Sequence, residues 1–400
     1  MKTVDVVVVG AGPAGTAAAI TLAAADIDVL VVDKARFPRD KICGDGLTTG
    51  ALRHLEELGL EVDSVGSWMA AQHCWIRSPA GRTTRFSLPD GPGQYMAVAP
   101  RRELDSALVD LARKAGADVL DGHGVSAARE VGDHVEVDVE GVGTVRARWA
   151  IAADGMWSPM RKQLGLSVER YRGEWHAFRQ YVSSVGPLAA RDLYISFDAD
   201  LVPGYFWSFP LPDGRANIGF GIQRGGGYSI QDMKQLWVDL LERPHVKAVL
   251  GPDVVADEPH RAWPIPARVD SMPPTSARTL FVGDAVAACD VMSGEGIGQA
   301  LATGRRAAES VIGAGPEGDA AQSYARALRL ELVADHRMSS LLVRGLSTAG
   351  GASRAVAIAA ASNWTRRNFA RWLFEDYPRA LVATPRRWKR GAVSRPGAYL

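Results

Sequence analysis

Three glycines, Gly10-x-Gly12-x-x-Gly15, follow the apolar run Val4 to Val9 and open an alanine-rich segment that begins at Pro13. Glycine at these positions allows a tight turn, close approach of a pyrophosphate to the backbone, and close packing of a helix on a strand. The helix that follows presents free N–H groups and its positive dipole end, so Pro13 and Ala14 fall beside an anion. Asp33 lies 18 residues after Gly15, where a carboxylate can hydrogen-bond ribose hydroxyls, and Lys34 adjoins it. The pattern predicts a dinucleotide, with NAD and FAD both open at this point.

Residues further along favour FAD. Phe281-Val282-Gly283-Asp284-Ala285, followed by Gly294-Glu295-Gly296-Ile297, places a carboxylate at a strand end and glycines at a helix start. Asp284 can then bind ribityl hydroxyls while Gly294, Gly296 and Ile297 face a flavin ring. Ala153-Asp154-Gly155 ends another strand. With Arg101 and Asp105, these stretches resemble the FAD-contact motifs of the large hydroxylase-like flavoprotein superfamily.

Two more stretches narrow the resemblance. Arg39-Asp40-Lys41-Ile42-Cys43-Gly44-Asp45-Gly46 resembles the cysteine-glycine loop of geranylgeranyl reductases, including bacterial menaquinone-reductase-like members. Pro203-Gly204-Tyr205-Phe206-Trp207-Ser208-Phe209-Pro210, with Asn217 to Gly221 after it, is similar to that family's aromatic substrate wall. The resemblance runs from Val4 to about Ile312. It implies bound FAD, an apolar isoprenoid substrate whose carbon-carbon double bonds are saturated, and NAD(P)H or ferredoxin as electron donor. Cys43 is the implied catalytic residue, delivering a proton or tuning the flavin. Tyr205, Trp207 and Phe209 share one strand face by period two and can line a tunnel for an apolar chain. Cys289 reads as a core thiol, Cys74 as structural, and His176 as a structural histidine.

The elements that must position these residues can be read from periodicity. Val4 to Val9 and Val29 to Val32 are β-branched runs suited to a parallel sheet buried on both faces, joined by a helix from Pro13 to Ala25. Helices are expected over Thr49 to Leu58 and Glu103 to Ala115, with a hairpin within Trp68 to Leu88. A second hairpin through Val135 to Val145 runs into the strand Trp149 to Asp154. Tyr171 to Arg224 alternates like an antiparallel sheet, and Arg278 to Val282 is one more core strand before a long helix. From Ala320 onward the chain reads as helical, with breaks near Gly350, Pro378 and Pro385. The expected fold is α/β: a Rossmann-like FAD-binding domain in three pieces (residues 1–66, 95–165 and 275–318), an inserted antiparallel-sheet substrate domain (67–94 and 166–274) and a helical C-terminal region (319–400).

Composition sets outer bounds. Lys and Arg number 46 against 45 Asp and Glu, so no overall field favours nucleic acid. Three scattered cysteines are too few for a disulfide framework or a zinc site and suit a reducing, cytoplasmic setting. The N-terminus reads as a buried strand, not a signal peptide, and no stretch has the roughly 18 apolar residues of a membrane span. From Ala361 to Leu400, nine basic residues face only Glu375 and Asp376, a net charge of +7 interleaved with Trp364, Phe369, Trp372, Phe374 and Trp388. That mixture suits peripheral contact with an anionic membrane, against the alternative of a helix packed on the flavin domain. Two other functions fit parts of the pattern. An aromatic monooxygenase or halogenase shares the fold, although Tyr205 and Phe209 depart from the halogenase wall motif, and a non-catalytic flavin sensor or electron-transfer module would need only the cofactor site. The sequence leaves the oligomeric state open.

Overall fold

The structure, a computed structural model, describes residues 1–88, 94–229, 231–315 and 318–388. Its first layer is a seven-stranded sheet built around Lys2–Val9, a strand whose inner valines are buried. Val29–Asp33 and then Asp118–Asp121 pair in parallel on one side. On the other side lies Gly143–Ala152, which changes partner along its length. Its first half pairs antiparallel with His134–Val139, and its last three residues pair in parallel with Thr279–Phe281. The additional edge strand Val125–Val131 has too little apolar alternation to announce itself in sequence.

The helix Pro13–Ala23 lies on this sheet, and the eighteen-residue helix Ile297–Ala314 packs across it. The two backbones meet at Gly304, where a Cβ would stand 2.0 Å from the carbonyl oxygen of Ala14. This near-contact brings both helix N-termini to the same end of the sheet, outside the C-terminal ends of its parallel strands, where ligands of open α/β sheets bind.

An eight-stranded sheet forms the second layer, centred on Trp175–Ser183, Arg215–Gln223, Tyr205–Leu211 and Leu193–Ser196. The hairpin His73–Arg77 and Thr83–Ser87 extends it. One pairing departs from the expected antiparallel pattern: Leu193–Ser196 runs parallel to His73–Arg77. Those segments come from distant parts of the chain, so no hairpin turn dictates their direction. A small three-stranded sheet of Gly46–Thr48, Met96–Val98 and Met69–Ala70 joins the layers. Helices Met233–Glu242 and Pro244–Leu250 cover the outer face of the large sheet, burying Trp237 against Phe220.

The C-terminal region holds helices Ala320–Glu331, Val333–Leu346, Ala349–Ala359 and Asn363–Leu373. The expected break near Gly350 is present, between the helices ending at Leu346 and starting at Ala349. Gly350 itself lies in the first turn of Ala349–Ala359, where glycine is cheap, and the break falls just before it, at Thr348, whose hydroxyl caps the N–H of Gly351. Pro378 likewise stands outside the helices, and Pro385 opens a short 3₁₀ turn.

Candidate active site

A cavity of about 1170 Å³ runs between the layers and under the C-terminal helices. That exceeds the roughly 300–1,000 Å³ usual for a single small-molecule pocket. One end is polar and built from the glycine turn. Gly10 has φ +105°, and a Cβ there would stand 2.3 Å from the oxygen of Ala153. Gly12, Pro13 and Ala14 line the cavity. Gly15 does not: its Cβ position lies 1.8 Å from the oxygen of Gly10, so it makes the turn tight and contributes no wall.

Asp33 lines the same end beside Lys34, with part of its hydrogen-bonding capacity already in use. Its two oxygens accept N–H bonds from Ala11 at 2.7 Å and Ala35 at 2.8 Å, which ties the strand end to the glycine turn. Asp154 also lines the cavity but is occupied as a cap, accepting the Ser158 hydroxyl and the Met160 N–H, each at 2.7 Å. Burial pushes its carboxyl up to about 6 despite those bonds. Arg101 holds Asp105 with a two-pronged fork at 2.7 and 2.8 Å, and Arg39 reaches the same carboxylate at 3.0 Å. Asp105 thus fixes two guanidinium groups on the wall.

Opposite, Gly283, Asp284, Gly294, Gly296 and Ile297 line the cavity. The thiol of Cys289 donates to Asp284 at 3.3 Å, so this buried cysteine faces the cavity as well as the core. A Cβ on Gly296 would stand 2.8 Å from that sulfur. The helix Pro13–Ala23 has no side chain capping its N-terminus and no acidic residue in its first turn, whereas at the start of Ile297–Ala314 the Gly298 N–H is taken by the Glu295 carboxyl just ahead of the helix, at 2.6 Å. The uncapped start of Pro13–Ala23 suits an anionic diphosphate, and the glycine-flanked start of Ile297–Ala314 gives backbone access to a ring on the opposite wall. This arrangement fits FAD.

The other end is apolar. Tyr205, Trp207 and Phe209 form a continuous wall, with ring centroids 6.1 and 6.3 Å apart. Trp207 lies over Gly219, where a Cβ would come within 2.2 Å of its ring. Phe369, Trp372, Val356 and Leu346 close the opposite side from the C-terminal helices. His176 stays outside the cavity; it accepts from Arg224 at 2.8 Å, and burial with that cation pushes it down to about 4. Cys74 is buried in its strand.

Cys43 and Gly44 lie between the two ends. Burial pushes the Cys43 thiol up, and the nearby Arg101 cation opposes this without overcoming it. Sequence reasoning passed over the residues that hold this loop. Asp45, fully buried with φ +62°, accepts the Tyr181 hydroxyl at 2.6 Å and the Asn217 side-chain amide at 2.8 Å. Asn217 also donates to the Cys43 carbonyl at 2.8 Å and accepts the Trp207 indole N–H at 3.1 Å. One asparagine therefore locks the cysteine loop to the aromatic wall. The available signals were an acid between two glycines at Gly44-Asp45-Gly46 and a lone polar residue in an apolar strand at Asn217.

Residues 3–194 match the FAD binding domain family. The menaquinone reductase of Mycobacterium tuberculosis is 36% identical over 324 residues, covering 76% of each chain. Digeranylgeranylglycerophospholipid reductase 2 of Methanopyrus kandleri is 36% identical over 336 residues, covering 80% of each. Among solved structures, a geranylgeranyl bacteriochlorophyll reductase-like protein from Thermoplasma acidophilum superposes with a TM-score of 0.79 over 90% of this chain and 92% of its own, at 24% identity, which speaks to the fold. With two relatives above 30% identity across most of their length, the chain belongs to the geranylgeranyl reductase family of FAD-dependent oxidoreductases.

Proposed function

We propose that the chain saturates carbon-carbon double bonds of an isoprenoid chain, such as a geranylgeranyl group or a menaquinone side chain. The observation that carries this reading is one continuous cavity with a polar end at the glycine turn, an aromatic apolar end and a cysteine loop between them. Gly10, Gly12, Pro13, Ala14, Asp33 and Lys34 would hold the adenosine and diphosphate part of FAD. Gly44, Arg101, Asp154, Gly283, Asp284, Gly294, Gly296 and Ile297 would surround its ribityl chain and ring. When bound and reduced, FAD supplies the hydride.

The protein's own part is placement, exclusion of water and the proton. Tyr205, Trp207 and Phe209 would align an unactivated alkene, which gains most from close placement in a dry site. Cys43 then gives a proton to the second alkene carbon from Sγ. Burial keeps that thiol in its neutral, proton-bearing form at pH 7. Electrons would arrive from NAD(P)H or a ferredoxin, and anaerobic stopped-flow reduction with each donor distinguishes them.

The purified protein should be yellow and release FAD on denaturation. Anaerobically, its reduced form should be reoxidised by an isoprenoid quinone or lipid, with two hydrogens added per double bond by mass spectrometry. Oxygen-coupled NAD(P)H consumption with a hydroxylated product would replace this reading with that of a monooxygenase. An apolar substrate of this length reaches the protein from a membrane, so the reading includes peripheral membrane contact at the cavity mouth. No helix among the described residues is long and apolar enough to cross one.

A further inference from the structure

The segment Cys289–Gly298 separates the large cavity from a second one of about 330 Å³, lined in part by Gln299, His336, Glu375 and Arg379. Polar atoms on this smaller cavity's lining residues lack partners. His336 Nδ1, Gln299 Oε1 and Arg379 Nε are buried with no hydrogen bond, and His336 and Arg379 are themselves over nine-tenths buried. A roomy space edged by unpaired donors and acceptors holds water, at about 30 Å³ per molecule. The smaller cavity is therefore suited to hold water on the far side of the wall.

Two carboxyl groups stand on either side of that wall. Glu295 lines the large cavity, and its Oε1 accepts the Gly298 N–H at 2.6 Å. Glu375 lines the smaller pocket, accepting the Gln299 amide at 2.9 Å and the Thr48 hydroxyl at 3.3 Å. A third acid, Asp290, shares the one guanidinium of Arg379, which lies 3.5 Å from both Asp290 and Glu375. Three buried carboxyls beside one cation cannot all ionise. Asp290 keeps its charge, since Arg379 and the Ser293 hydroxyl, at 2.6 Å, outweigh burial and hold it below the usual range. The excess proton falls to the other two: burial and then the Glu375 charge push Glu295 well up, and burial pushes Glu375 up too. Cys289 and Tyr205 also feel Glu295, and Tyr205 feels Cys43 across the large cavity.

We propose that Glu375 and Glu295 are a proton entry, Glu375 taking protons from the smaller pocket and Glu295 passing them through the wall into the large cavity. The proposal rests on the reductase reading, in which each double bond consumes one proton while the bound substrate displaces water from the apolar end of the large cavity. The balance is simple. Glu295 begins protonated, is ionised as its proton restores the Cys43 thiol that has protonated the alkene carbon, and is restored by one from Glu375, which takes one from water in the smaller pocket; no electron moves.

Infrared titration of the purified FAD-loaded protein tests this without any substrate. The wild type should show a protonated-carboxyl band that persists above neutral pH. Glu295→Gln should remove it at unchanged FAD content, since the new amide oxygen still accepts the Gly298 N–H. Glu375→Gln, by removing a neighbouring negative charge, should move the band's titration to lower pH. In turnover, isoprenoid saturation should fall as pH rises through the Glu295 titration, because the proton-bearing form is lost. Glu295→Gln should be slower on the order of a hundredfold and lose that limb, and Glu295→Asp should restore part of it. A wild-type band absent at neutral pH, or one that Glu295→Gln leaves in place, overturns the proposal. So does a pH profile that Glu295→Gln does not change. A protein showing the band and its shift but saturating no isoprenoid overturns the reductase reading instead, while the neutral Glu295 stands.

Discussion

A thiol serves as an acid only if it keeps its proton until the substrate needs it, and Cys43 is held to that state by burial. Cys43→Ala should retain FAD while slowing single-turnover reoxidation of reduced flavin by an isoprenoid substrate about a hundredfold or more. An unchanged rate would return Cys43 to a packing role. The loop's geometry depends on Asp45, which burial pushes up to about 6 and which the Tyr181 and Asn217 bonds help keep ionised at neutral pH. Asp45→Ala would leave the Tyr181 hydroxyl and one Asn217 donor unpaired in a buried site, at about 1–3 kcal/mol each. It should therefore lower the melting temperature and the saturation rate together. At this scale the sequence revealed residues whose chemistry is local: the glycines of the turn, Asp33 after its strand, the cysteine in its loop. Asp45 and Asn217 were not legible because their meaning is a contact between residues 172 apart. Glu295 was visible between two glycines, but its partner Glu375 comes from the far end of the chain.

The helix Ile297–Ala314 carries the cofactor end of the cavity, and the closeness of its crossing with Pro13–Ala23 decides where both helix starts point. Two glycines of this helix make opposite predictions for the same substitution. At Gly304 a Cβ would strike the Ala14 carbonyl, so Gly304→Ala should cost about 1–3 kcal/mol and weaken FAD retention by pushing the helices apart. At Gly313, also helical but exposed, nothing lies within 4 Å of a new Cβ, so Gly313→Ala should stabilise by about 0.5–1 kcal/mol. Thermal melts with and without FAD check both, and equal effects at the two sites would dismiss the crossing as the organising contact. Elements with a strong local period were legible, among them the valine strands, the glycine-turn helix and the alternating wall strand. The parallel pairing of Leu193–Ser196 with His73–Arg77 was not, because period two gives a strand's faces and says nothing of its neighbour's direction. The break near Gly350 was legible, and the structure adds its cause: Thr348 caps the start of the new helix.

For the molecule as a whole, the basic C-terminal stretch is less of an electrostatic surface than its count suggests. Arg371 is buried in a pair with Asp376, Arg379 is buried among Asp290 and Glu375, and Arg387 pairs with Asp335 at 2.7 Å. Lys389, Arg390 and Arg395 lie outside the described residues. Deleting everything after Tyr377 would remove Arg379 from a nest of carboxyls, so loss of binding in that truncation would report unfolding. What the surface does offer is apolar. Ile358, Trp364 and Val382 line the large cavity yet are 69%, 57% and 84% exposed, which places them at its mouth. Three bulky apolar side chains rimming an apolar tunnel are suited to meet acyl chains, and the remaining exposed cations such as Arg386 would add attraction of about 1 kcal/mol per residue to anionic lipid. Flotation with anionic liposomes should therefore recover the wild-type protein, in part even at salt high enough to screen surface charge. Ile358→Glu, Trp364→Glu and Val382→Glu together should abolish recovery without loss of FAD, since these side chains are already largely in water. Arg386→Gln should instead weaken only the salt-sensitive part. Full recovery of the triple variant, or recovery that salt alone eliminates, would show that the mouth does not enter the membrane.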